Sequence, residues 1–254
     1  MSLRFCSLAS GSRGNCLYLS SENTTVIIDA GISLKRIEGG LGKFGGGKIN
    51  LLITHTHSDH VSGLASFVRK YSPSVYCFGG CYDKVKDIVM GGAEVTAFDG
   101  DFYLGDITVS PFRVSHDVPC VGYSFYNGGR KLSVMTDLGV FTQSQAKQIE
   151  GSDALFIESN YDEDILKRTD KYSQALKNRI SSRYGHLSNS DSAKASLFAA
   201  ESGCRAIMLG HLSQENNTPE LALETTRKAL NEAGYTIPVS VALQDRLSSV
   251  MEVT

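Results

Sequence analysis

The chain has 254 residues, a formal net charge of −2 at pH 7 and a hydrophobic fraction of 41%. This length can bury a full hydrophobic core, and the near-neutral charge excludes binding of nucleic acid through overall positive charge, so a polyanion would need a local patch or metal ions. The N-terminal residues lack the pattern of a signal peptide and no apolar run approaches the roughly 20 residues of a membrane span, which predicts a cytoplasmic protein without a membrane partner.

Six cysteines, at positions 6, 16, 77, 81, 120 and 204, lie in apolar segments. They do not show the paired spacing of a metal site, and reduced, mostly buried thiols are expected in a cytoplasmic chain of this length.

The N-terminal region is predicted to form three strands, at residues 4–8, 16–20 and 25–29, followed by a short helix at residues 33–37. The loop between the first two strands, residues 9–15, contains mainly small and polar residues. It has two possible roles. It is either a plain hairpin connection, or its backbone amides with Ser12 and Asn15 form a nest that accepts an anion.

The next apolar strand, residues 49–53, is followed directly by Thr54-His55-Thr56-His57-Ser58-Asp59-His60. An amphipathic helix is predicted from residue 59 to residue 71, with Ser58 as its N-cap. The histidines and the aspartate therefore lie at a junction between a strand and a helix.

Four potential metal ligands occur within six residues of this junction. His55 and His57 are two residues apart on extended backbone, so their side chains leave the same face and can converge on one cation. Asp59 and His60, on the first helical turn, diverge from that pair and suit a second cation nearby. Imidazole with carboxylate predicts divalent metal ions.

After a strand at residues 74–78 and a helix at residues 81–90, the pattern changes to short strands separated by Asp-Gly, Gly-Asp and Asn-Gly-Gly turns. These strands are predicted to form a meandering sheet. Their ranges are 94–98, 102–104, 107–114, 121–126 and 131–136.

Strands and helices alternate again in the last third of the chain. Strands are predicted at residues 154–158, 205–209 and 239–243, and helices at 162–168, 173–183, 189–202 and 219–233. This order predicts an α/β fold in which two sheets pack face to face with helices on both outer faces.

Three further polar residues, His116, Asp137 and His211, each lie in a loop that follows a predicted strand. A histidine of the core would more often lie inside an apolar run. Together with the first motif they place ligands at four separate strand ends, which predicts one metal site along one edge of the sandwich.

These motifs resemble the metallo-β-lactamase fold, whose ligands occur in this same order. The resemblance extends over nearly the whole chain and implies a single domain, residues 1–254, built as a four-layer αββα sandwich. It assigns His55, His57 and His116 to one metal, assigns Asp59, His60 and His211 to a second, and places Asp137 between the two. Zinc-dependent lactamases carry Cys at the position of Asp137, so the resemblance does not imply antibiotic hydrolysis.

Longer motifs resemble the YycJ (WalJ) group of this superfamily, which is related to ribonuclease Z and is associated with metal-dependent exonucleolytic cleavage of DNA ends. They are Leu8 to Cys16, Ser115-His116-Asp117, Val121-Gly122-Tyr123, Glu158-Ser159-Asn160, Gly185 to Asn189 and Gly210 to Asn217. Tyr161 departs from the histidine expected after Asn160, which leaves the role of that position open.

Cleavage of a phosphodiester also needs a proton donor for the leaving oxygen. The resemblance to ribonuclease Z suggests His186 for this role, oriented by Glu158, and Asp59 is counted with them as catalytic. His186 would otherwise be an ordinary residue of a loop that enters a helix.

Residues 167–183 form the most basic segment of the chain. It is either a solvated helix face or a surface that binds phosphates. The second interpretation assigns Lys177, Arg179 and Arg183 to substrate binding. Ser12, Asn15 and Asn160 are the other predicted substrate contacts.

We therefore predict a dinuclear metal-dependent hydrolase, a phosphodiesterase or exonuclease that acts on DNA or RNA ends through attack of a metal-bridging hydroxide. Its predicted cofactors are two divalent ions of zinc, manganese or iron, and its predicted partner is a nucleic acid substrate. Two alternatives remain: a thioester or other small-molecule hydrolase of the glyoxalase II type, and a non-catalytic metal-binding scaffold. The sequence determines neither the metal nor the oligomeric state.

Overall fold

The computed structural model describes residues 2–42 and 48–254. In chain order the strands are β1 (Leu3–Ala9), β2 (Cys16–Ser20), β3 (Thr25–Ile28), β4 (Ile49–Ile53), β5 (Ser74–Phe78), β6 (Val95–Phe98), β7 (Phe102–Leu104), β8 (Ile107–Arg113), β9 (Val121–Asn127), β10 (Arg130–Met135), β11 (Ala154–Glu158), β12 (Ala206–Gly210), β13 (Val239–Val241) and β14 (Met251–Val253). The α-helices are α1 (Leu34–Leu41), α2 (Ser58–Val61), α3 (Leu64–Tyr71), α4 (Tyr82–Val89), α5 (Gln143–Ile149), α6 (Glu163–Arg168), α7 (Gln174–Ile180), α8 (Asn189–Glu201) and α9 (Pro219–Glu232).

The strands form two sheets of seven strands each, both with mixed pairing. The first sheet has the order β14-β1-β2-β3-β4-β5-β6, and the second has the order β13-β12-β11-β10-β9-β8-β7. In the first sheet, β3, β4, β5 and β6 are parallel neighbours. In the second, β10 to β13 are parallel neighbours, whereas β7 to β10 form an antiparallel meander. Parallel strands that share a direction bring their carboxyl ends to one edge.

Hydrophobic side chains form three cores that define four layers. One core lies between the sheets and includes Phe5 of β1 and Phe156 of β11. A second core covers the outer face of the first sheet with residues of α1, α3 and α4, and the third covers the second sheet with residues of α5, α8 and α9. The predicted αββα sandwich is confirmed, because each sheet buries both faces.

The prediction of one continuous helix over residues 59–71 is wrong. The segment is divided into α2 and α3 at Ser62 and Gly63, and the N-cap of α2 is His57 instead of Ser58. The Gly63 amide donates to the Ala30 carbonyl, and a Cβ on Gly63 would overlap the Ile32 carbonyl. This close approach of two backbones requires a residue without a side chain, and it interrupts the helix.

Three other predicted features need correction. Residues 94–98 are not part of the meander, because β6 pairs in parallel with β5 across the α4 crossover. The helix α5 was not predicted, and β13 is not the last strand, since β14 pairs with β1 at the edge of the first sheet.

All six cysteines are buried and free, in agreement with the expected reduced thiols. Within the part of the chain that the structure describes, no helix has the length and apolar character needed to cross a bilayer.

Candidate metal centre

The predicted ligands meet at one edge of the sandwich, because they follow the carboxyl ends of β4, β8, β10 and β12. Two of them, Asp137 and His211, have left-handed backbone angles, with φ of 57° and 54°. So does Asp29, at the end of β3, with φ of 62°. Such angles are unfavourable for residues with a side chain and concentrate at functional sites.

The first group of donors consists of His55, His57 and His116. Nδ1 of His57 lies 3.2 Å from Nε2 of His55 and 3.2 Å from Nε2 of His116. Three ring nitrogens therefore converge on one point, and together they can hold a metal ion.

The second group consists of Asp59, His60 and His211. Oδ2 of Asp59 lies 3.5 Å from Nε2 of His60 and 3.4 Å from Nε2 of His211. Asp137 lies beside both groups: its Oδ2 is 3.2 Å from Nε2 of His60, and it forms a further potential ligand cluster with His55 and His60. The structure thus gathers the seven candidates into the two sets that the resemblance assigned, with Asp137 adjacent to each.

Three of these histidines have their second ring nitrogen held by an acceptor. Nδ1 of His60 donates to the Asp29 carboxylate at 2.6 Å, Nδ1 of His116 to the Gly185 carbonyl at 3.2 Å, and Nδ1 of His211 to the Glu158 carboxylate at 2.7 Å. Such bonds fix the ring and direct its other nitrogen toward the site, as is common around protein-bound metals.

His57 has the opposite orientation. Its Nε2 lies 3.3 Å from Oδ1 of Asp117, so its Nδ1 faces His55 and His116. Asp117 is in turn paired with Arg179 of α7 at 2.6 Å. A chain of polar contacts through Asp117 therefore links α7 to the first group of donors.

The ionisation of the first group suits metal binding. Burial, together with the neighbouring His60, lowers the pKa of His55 well below its usual range. Burial and the neighbouring His116 also lower the pKa of His57. Both rings are therefore neutral near pH 7, the form in which imidazole binds a metal.

The second group attracts positive charge. Burial alone would lower the pKa of His211, but Asp137 and then Asp59 and Glu158 outweigh it and raise that pKa to about 10. Burial also opposes the shift at His60, where Asp137 and Asp29 raise the pKa well above its usual range. A proton or a metal cation satisfies the same carboxylates, and a cation can replace the proton.

The residues present fit two divalent cations. Among residues 2–42 and 48–254, Oδ2 of the fully buried Asp137 has no assigned hydrogen-bond partner, although Nε2 of His60 lies 3.2 Å away. A buried, unpaired carboxylate oxygen is costly, and a metal ion would pair it. The donors are nitrogen and oxygen without thiolate, which admits zinc, manganese or iron.

Glu158 connects the metal centre with the predicted acid. It is completely buried at the end of β11 and its Oε1 accepts from Nδ1 of His186 and Nδ1 of His211, each at 2.7 Å. Its Oε2 accepts from the backbone amides of Leu138 and Leu187. Burial would lower the pKa of His186, but the Glu158 carboxylate outweighs burial and raises it.

These groups line an open cleft of about 210 Å³. Its walls include Ser12, Asp59, His57, His116, Asp137, His186 and His211, and on the side of α7 they include Leu176, Arg179, Ile180 and Tyr184. The predicted catalytic residues Asp59 and His186 therefore face one opening, and Glu158 lies behind them.

The loop at residues 9–15 does not form a nest of free amides. The amides of Gly11, Arg13, Gly14 and Asn15 are bonded to other protein atoms, and the Asn15 amide donates to the Asp59 carbonyl. The Asn15 side chain donates to Oδ2 of Asp59 at 3.2 Å. The loop thus positions Asp59, and Ser12 is its cleft-lining residue.

Asn160 does not reach the cleft surface, contrary to its predicted role as a substrate contact. It is buried, and its side-chain amide donates to the His211 carbonyl at 2.7 Å. It positions the loop of the candidate ligand His211. Tyr161 is also buried, and its backbone forms an isolated parallel β-bridge with Ser188.

The basic segment is divided between two environments. Arg179 lines the cleft, where it pairs with Asp117. Lys177 bonds the Lys167 carbonyl at 2.9 Å, and the Arg183 guanidinium lies beside the Tyr184 ring, so neither is a wall of the cleft.

Sequence reasoning missed Asp29 and Asp117. Asp29 accepts from the Thr54 amide and hydroxyl and from His60, which ties β3 to the metal motif. Its position immediately after a strand, like that of Asp137, was the available signal. Asp117 was noted only as part of the Ser115-His116-Asp117 motif, and its contacts with His57 and Arg179 were not predicted.

Comparison with known proteins agrees with this geometry. Residues 24–212 match the family described as beta-lactamase superfamily domain. The chain is 36% identical over 254 residues to exodeoxyribonuclease YycJ of Bacillus anthracis, an alignment that covers 96% of each chain. It is 34% identical over 252 residues to exodeoxyribonuclease WalJ of Streptococcus pneumoniae serotype 2, with 95% of this chain and 93% of the relative covered.

Among solved structures, the chain is similar to the metallo-beta-lactamase fold protein YhfI from Bacillus subtilis. The TM-score is 0.79 with 15% sequence identity, and the match covers 99% of this chain and 100% of the other. At this identity the likeness shows a shared fold.

Proposed function

Because this chain belongs to the β-lactamase superfamily, in the group of the YycJ and WalJ proteins, we propose that it is a dinuclear metal-dependent phosphodiesterase that removes nucleotides from DNA ends. That it is a hydrolase follows from membership of this group; the two metals and the DNA substrate are the proposal. The observation that carries it is the cleft in which two adjoining donor groups face His186.

In the proposed enzyme, His55, His57 and His116 would hold one cation, Asp59, His60 and His211 would hold the second, and Asp137 would supply its carboxylate beside both. When bound, two divalent cations would offset the charge of a phosphodiester and lower the pKa of a water molecule. Asp29 and Glu158 keep His60 and His211 in their ligating orientation, and Asp117 does so for His57.

His186 supplies the proton for the departing oxygen. Its Nδ1 is bound to Glu158, which leaves Nε2 for the cleft. The Glu158 carboxylate raises the pKa of His186, which favours the protonated ring that a general acid requires. Glu158 is too completely enclosed to reach a substrate, so it orients the acid.

Ser12 and Arg179 are the predicted substrate contacts that line the cleft. Ser12 offers a hydroxyl to a phosphate oxygen, and Arg179, which is paired with Asp117, offers guanidinium donors from the side of α7. Lys177 and Arg183 lie on either side of Arg179 in the same segment, where they would attract the strand through its phosphates without contacting the cleaved bond.

Hydrolysis of a thioester or another small molecule remains the second candidate, because the cleft volume of about 210 Å³ is below the 300–1,000 Å³ typical of pockets that enclose a whole ligand. A cleft of this size can hold a small ester. It can equally hold one phosphate group of a longer strand whose nucleotides lie outside it.

The deciding experiment is turnover of end-labelled single- and double-stranded DNA, RNA and a thioester by protein loaded with zinc, manganese or iron. We expect stepwise loss of nucleotides from DNA ends and bound metal approaching two ions per chain by elemental analysis. Asp137→Ala should loosen both ions. Preferential hydrolysis of the thioester, or one ion per active chain at saturating metal, contradicts the proposal.

A further inference from the structure

A groove of about 560 Å³ lies beside the metal cleft and is lined by residues 113–119 and Tyr184. It shares His116, Asp117 and Tyr184 with the cleft, so the two openings adjoin. Among the described residues of its wall, Asp117 is the one carboxylate, and it is paired with Arg179 at 2.6 Å. A polyanion that extends out of the cleft would therefore meet little opposing negative charge in this groove.

Arg113 is the cation of this groove, and it is held in place from two sides. Its guanidinium lies over the Phe78 ring, 4.4 Å from the ring centroid. Its backbone carbonyl, at the end of β8, accepts from the buried Gln145 side chain at 2.9 Å, and the residue pairs with Val121 of β9. The position of the guanidinium is therefore set by the packed ends of both sheets.

The donors of the Arg113 side chain are available to a ligand. The residue is exposed, and within residues 2–42 and 48–254 its guanidinium forms no hydrogen bond or ion pair. Stacking on a ring leaves the five N–H groups at the edge of the guanidinium plane free to donate. Their fork geometry matches two oxygens of one phosphate.

A second cation, Lys84, lies near the same wall. It is exposed in the first turn of α4, and its side chain forms no hydrogen bond or ion pair among the described residues. Burial raises the pKa of the Cys81 thiol to about 11, and the charges of Arg113 and Lys84 both act against that rise. The thiol donates to the carbonyl of Pro119, a residue of the groove wall. Both cations are therefore close to one point of the groove.

The spacing between Arg113 and the candidate metal ligands matches the repeat of a nucleic acid strand. His116 follows Arg113 by three positions, and a chain of this length spans at most about 10 Å. One strand of duplex DNA carries a phosphate per roughly 3.4 Å of helix axis. A strand whose cleaved phosphate lies in the metal cleft therefore brings its second or third phosphate along the groove near Arg113.

We propose that the groove of residues 113–119 binds the phosphate backbone of the DNA strand beyond the cleaved bond, with Arg113 as the main contact and Lys84 as a second one. This inference rests on the proposed function and deepens it, because it gives the strand a path out of the metal cleft. Contacts to phosphates position the strand and are independent of its base sequence.

The first test measures affinity separately from turnover. The metal-loaded proteins are the wild type, Arg113→Gln, Arg113→Lys, Lys84→Gln and the control Arg69→Gln, each with its metal content determined by elemental analysis. Arg69 is exposed on α3, bonds the Ser66 hydroxyl and lines neither opening. Affinity for a DNA duplex with phosphorothioate linkages, which resist hydrolysis, is titrated between about 50 and 200 mM salt.

We expect Arg113→Gln to bind the duplex roughly threefold to tenfold more weakly at low salt, between the effects of an exposed ion pair and of a hydrogen bond to a charged group. The slope of log affinity against log salt should become shallower by about 0.9, the value for one phosphate contact. Arg113→Lys should keep the slope because the charge remains, and Lys84→Gln should reduce it by up to about 0.9. Arg69→Gln should match the wild type in affinity and slope.

The second test locates the contact along the strand. In one duplex the second to fourth linkages from every end are neutral methylphosphonates, and the first linkage remains a phosphodiester that can be cleaved. At subsaturating enzyme, the neutral linkages should slow release of the labelled terminal nucleotide by the wild type and by Arg69→Gln. They should slow Arg113→Gln by a smaller factor, because the charge that contacts these phosphates is already absent.

Wild-type affinity and slope in Arg113→Gln would overturn the inference, as would an equal loss in Arg69→Gln. Equal slowing of the wild type and Arg113→Gln by the neutral linkages would overturn the position of the contact. If the wild type degrades DNA, these outcomes leave the proposed function intact. A wild type that binds the duplex with a slope dependent on Arg113 but releases no nucleotide would overturn the proposed function and leave the groove as a site for DNA. A wild type that binds no DNA overturns both.

Discussion

At the scale of single residues, one carboxylate organises both halves of the site. Glu158 holds the imidazoles of His186 and His211 through the same oxygen, and its other oxygen is bonded by two backbone amides. Because both carboxylate oxygens of Glu158 accept two hydrogen bonds each, its negative charge is tolerated in the protein interior. His211 turns toward the metal donors, and His186 is left as the histidine outside both ligand sets.

We predict that His186→Ala lowers turnover of DNA by roughly 100-fold while both metals stay bound. A phosphodiester with a poor leaving group needs its departing oxygen protonated, whereas bis(p-nitrophenyl) phosphate does not. Steady-state rates on both substrates, with elemental analysis of the variant, measure the difference.

An equal decrease on both substrates would show that His186 positions the substrate and is not the acid. Loss of metal in the variant would make it a ligand. Tyr103→Ala serves as the control for handling and metal loading, since that residue lies far out on β7 and contacts neither group of donors.

At the scale of elements, a single aspartate joins turns of the two sheets. The Asp106 carboxylate, between β7 and β8 of the second sheet, accepts from the hydroxyls of Ser21 and Thr24, between β2 and β3 of the first sheet. The Asn127 side chain of β9 donates to the same carboxylate. Partial burial would raise the pKa of Asp106, but these hydrogen bonds outweigh it and lower the pKa.

A lowered pKa in the folded state means that Asp106 contributes stability above the unfolded value of about 3.9, and that this contribution is lost as the pH falls through the folded pKa. We predict that Asp106→Asn reduces the free energy of unfolding by roughly 0.5–1.5 kcal/mol at pH 7, because an amide oxygen still accepts from the two hydroxyls but lacks the charge that strengthens these bonds. The difference from wild type should shrink as the pH falls below about 4.

Urea unfolding at pH 7 and at a pH below about 4 measures this effect. Asp87→Asn on α4 is the matched control, because Asp87 is exposed and its side chain forms no hydrogen bond or ion pair within residues 2–42 and 48–254. A destabilisation of Asp106→Asn that is independent of pH would show that the charge of Asp106 does not matter.

At the scale of the whole molecule, the two sheets share one core. Phe5 of the first sheet and Phe156 of the second pack edge to face with ring centroids 5.4 Å apart, and both are completely buried. The candidate ligands also come from both sheets, since the first histidines follow β4 and the others follow β8, β10 and β12. We propose that residues 1–254 form a single domain that unfolds as one unit.

Calorimetry should therefore show one transition for the wild type, and Phe156→Ala should lower its midpoint without dividing it. Removal of a buried phenylalanine typically costs about 3–5 kcal/mol. The exposed control Tyr103→Ala should change stability by less than about 0.5 kcal/mol. Two separate transitions in either protein would refute the single domain.

The sequence by itself predicted the four layers and the candidate ligands, because both depend on patterns of neighbouring residues. Strand and helix periodicity is set by neighbouring residues, and the motif from His55 to His60 lies within a single strand-helix junction. His116, Asp137 and His211 were recognisable because each follows an apolar strand directly, and strands of a buried sheet bring their ends together. Nothing beyond the order of the residues was needed to expect the four-layer sandwich with ligands at one edge.

Only the tertiary structure decided what lies behind and beside those ligands. The pairing of Asp29 with His60, the sharing of Glu158 by two histidines, the burial of Asn160 and the pairing of Arg179 with Asp117 all join residues far apart in the chain. The division between α2 and α3 has the same origin, since it depends on the contact of Gly63 with Ala30 and Ile32. These features depend on which backbones approach closely after the sheets have packed, and no local pattern of residues encodes that distance.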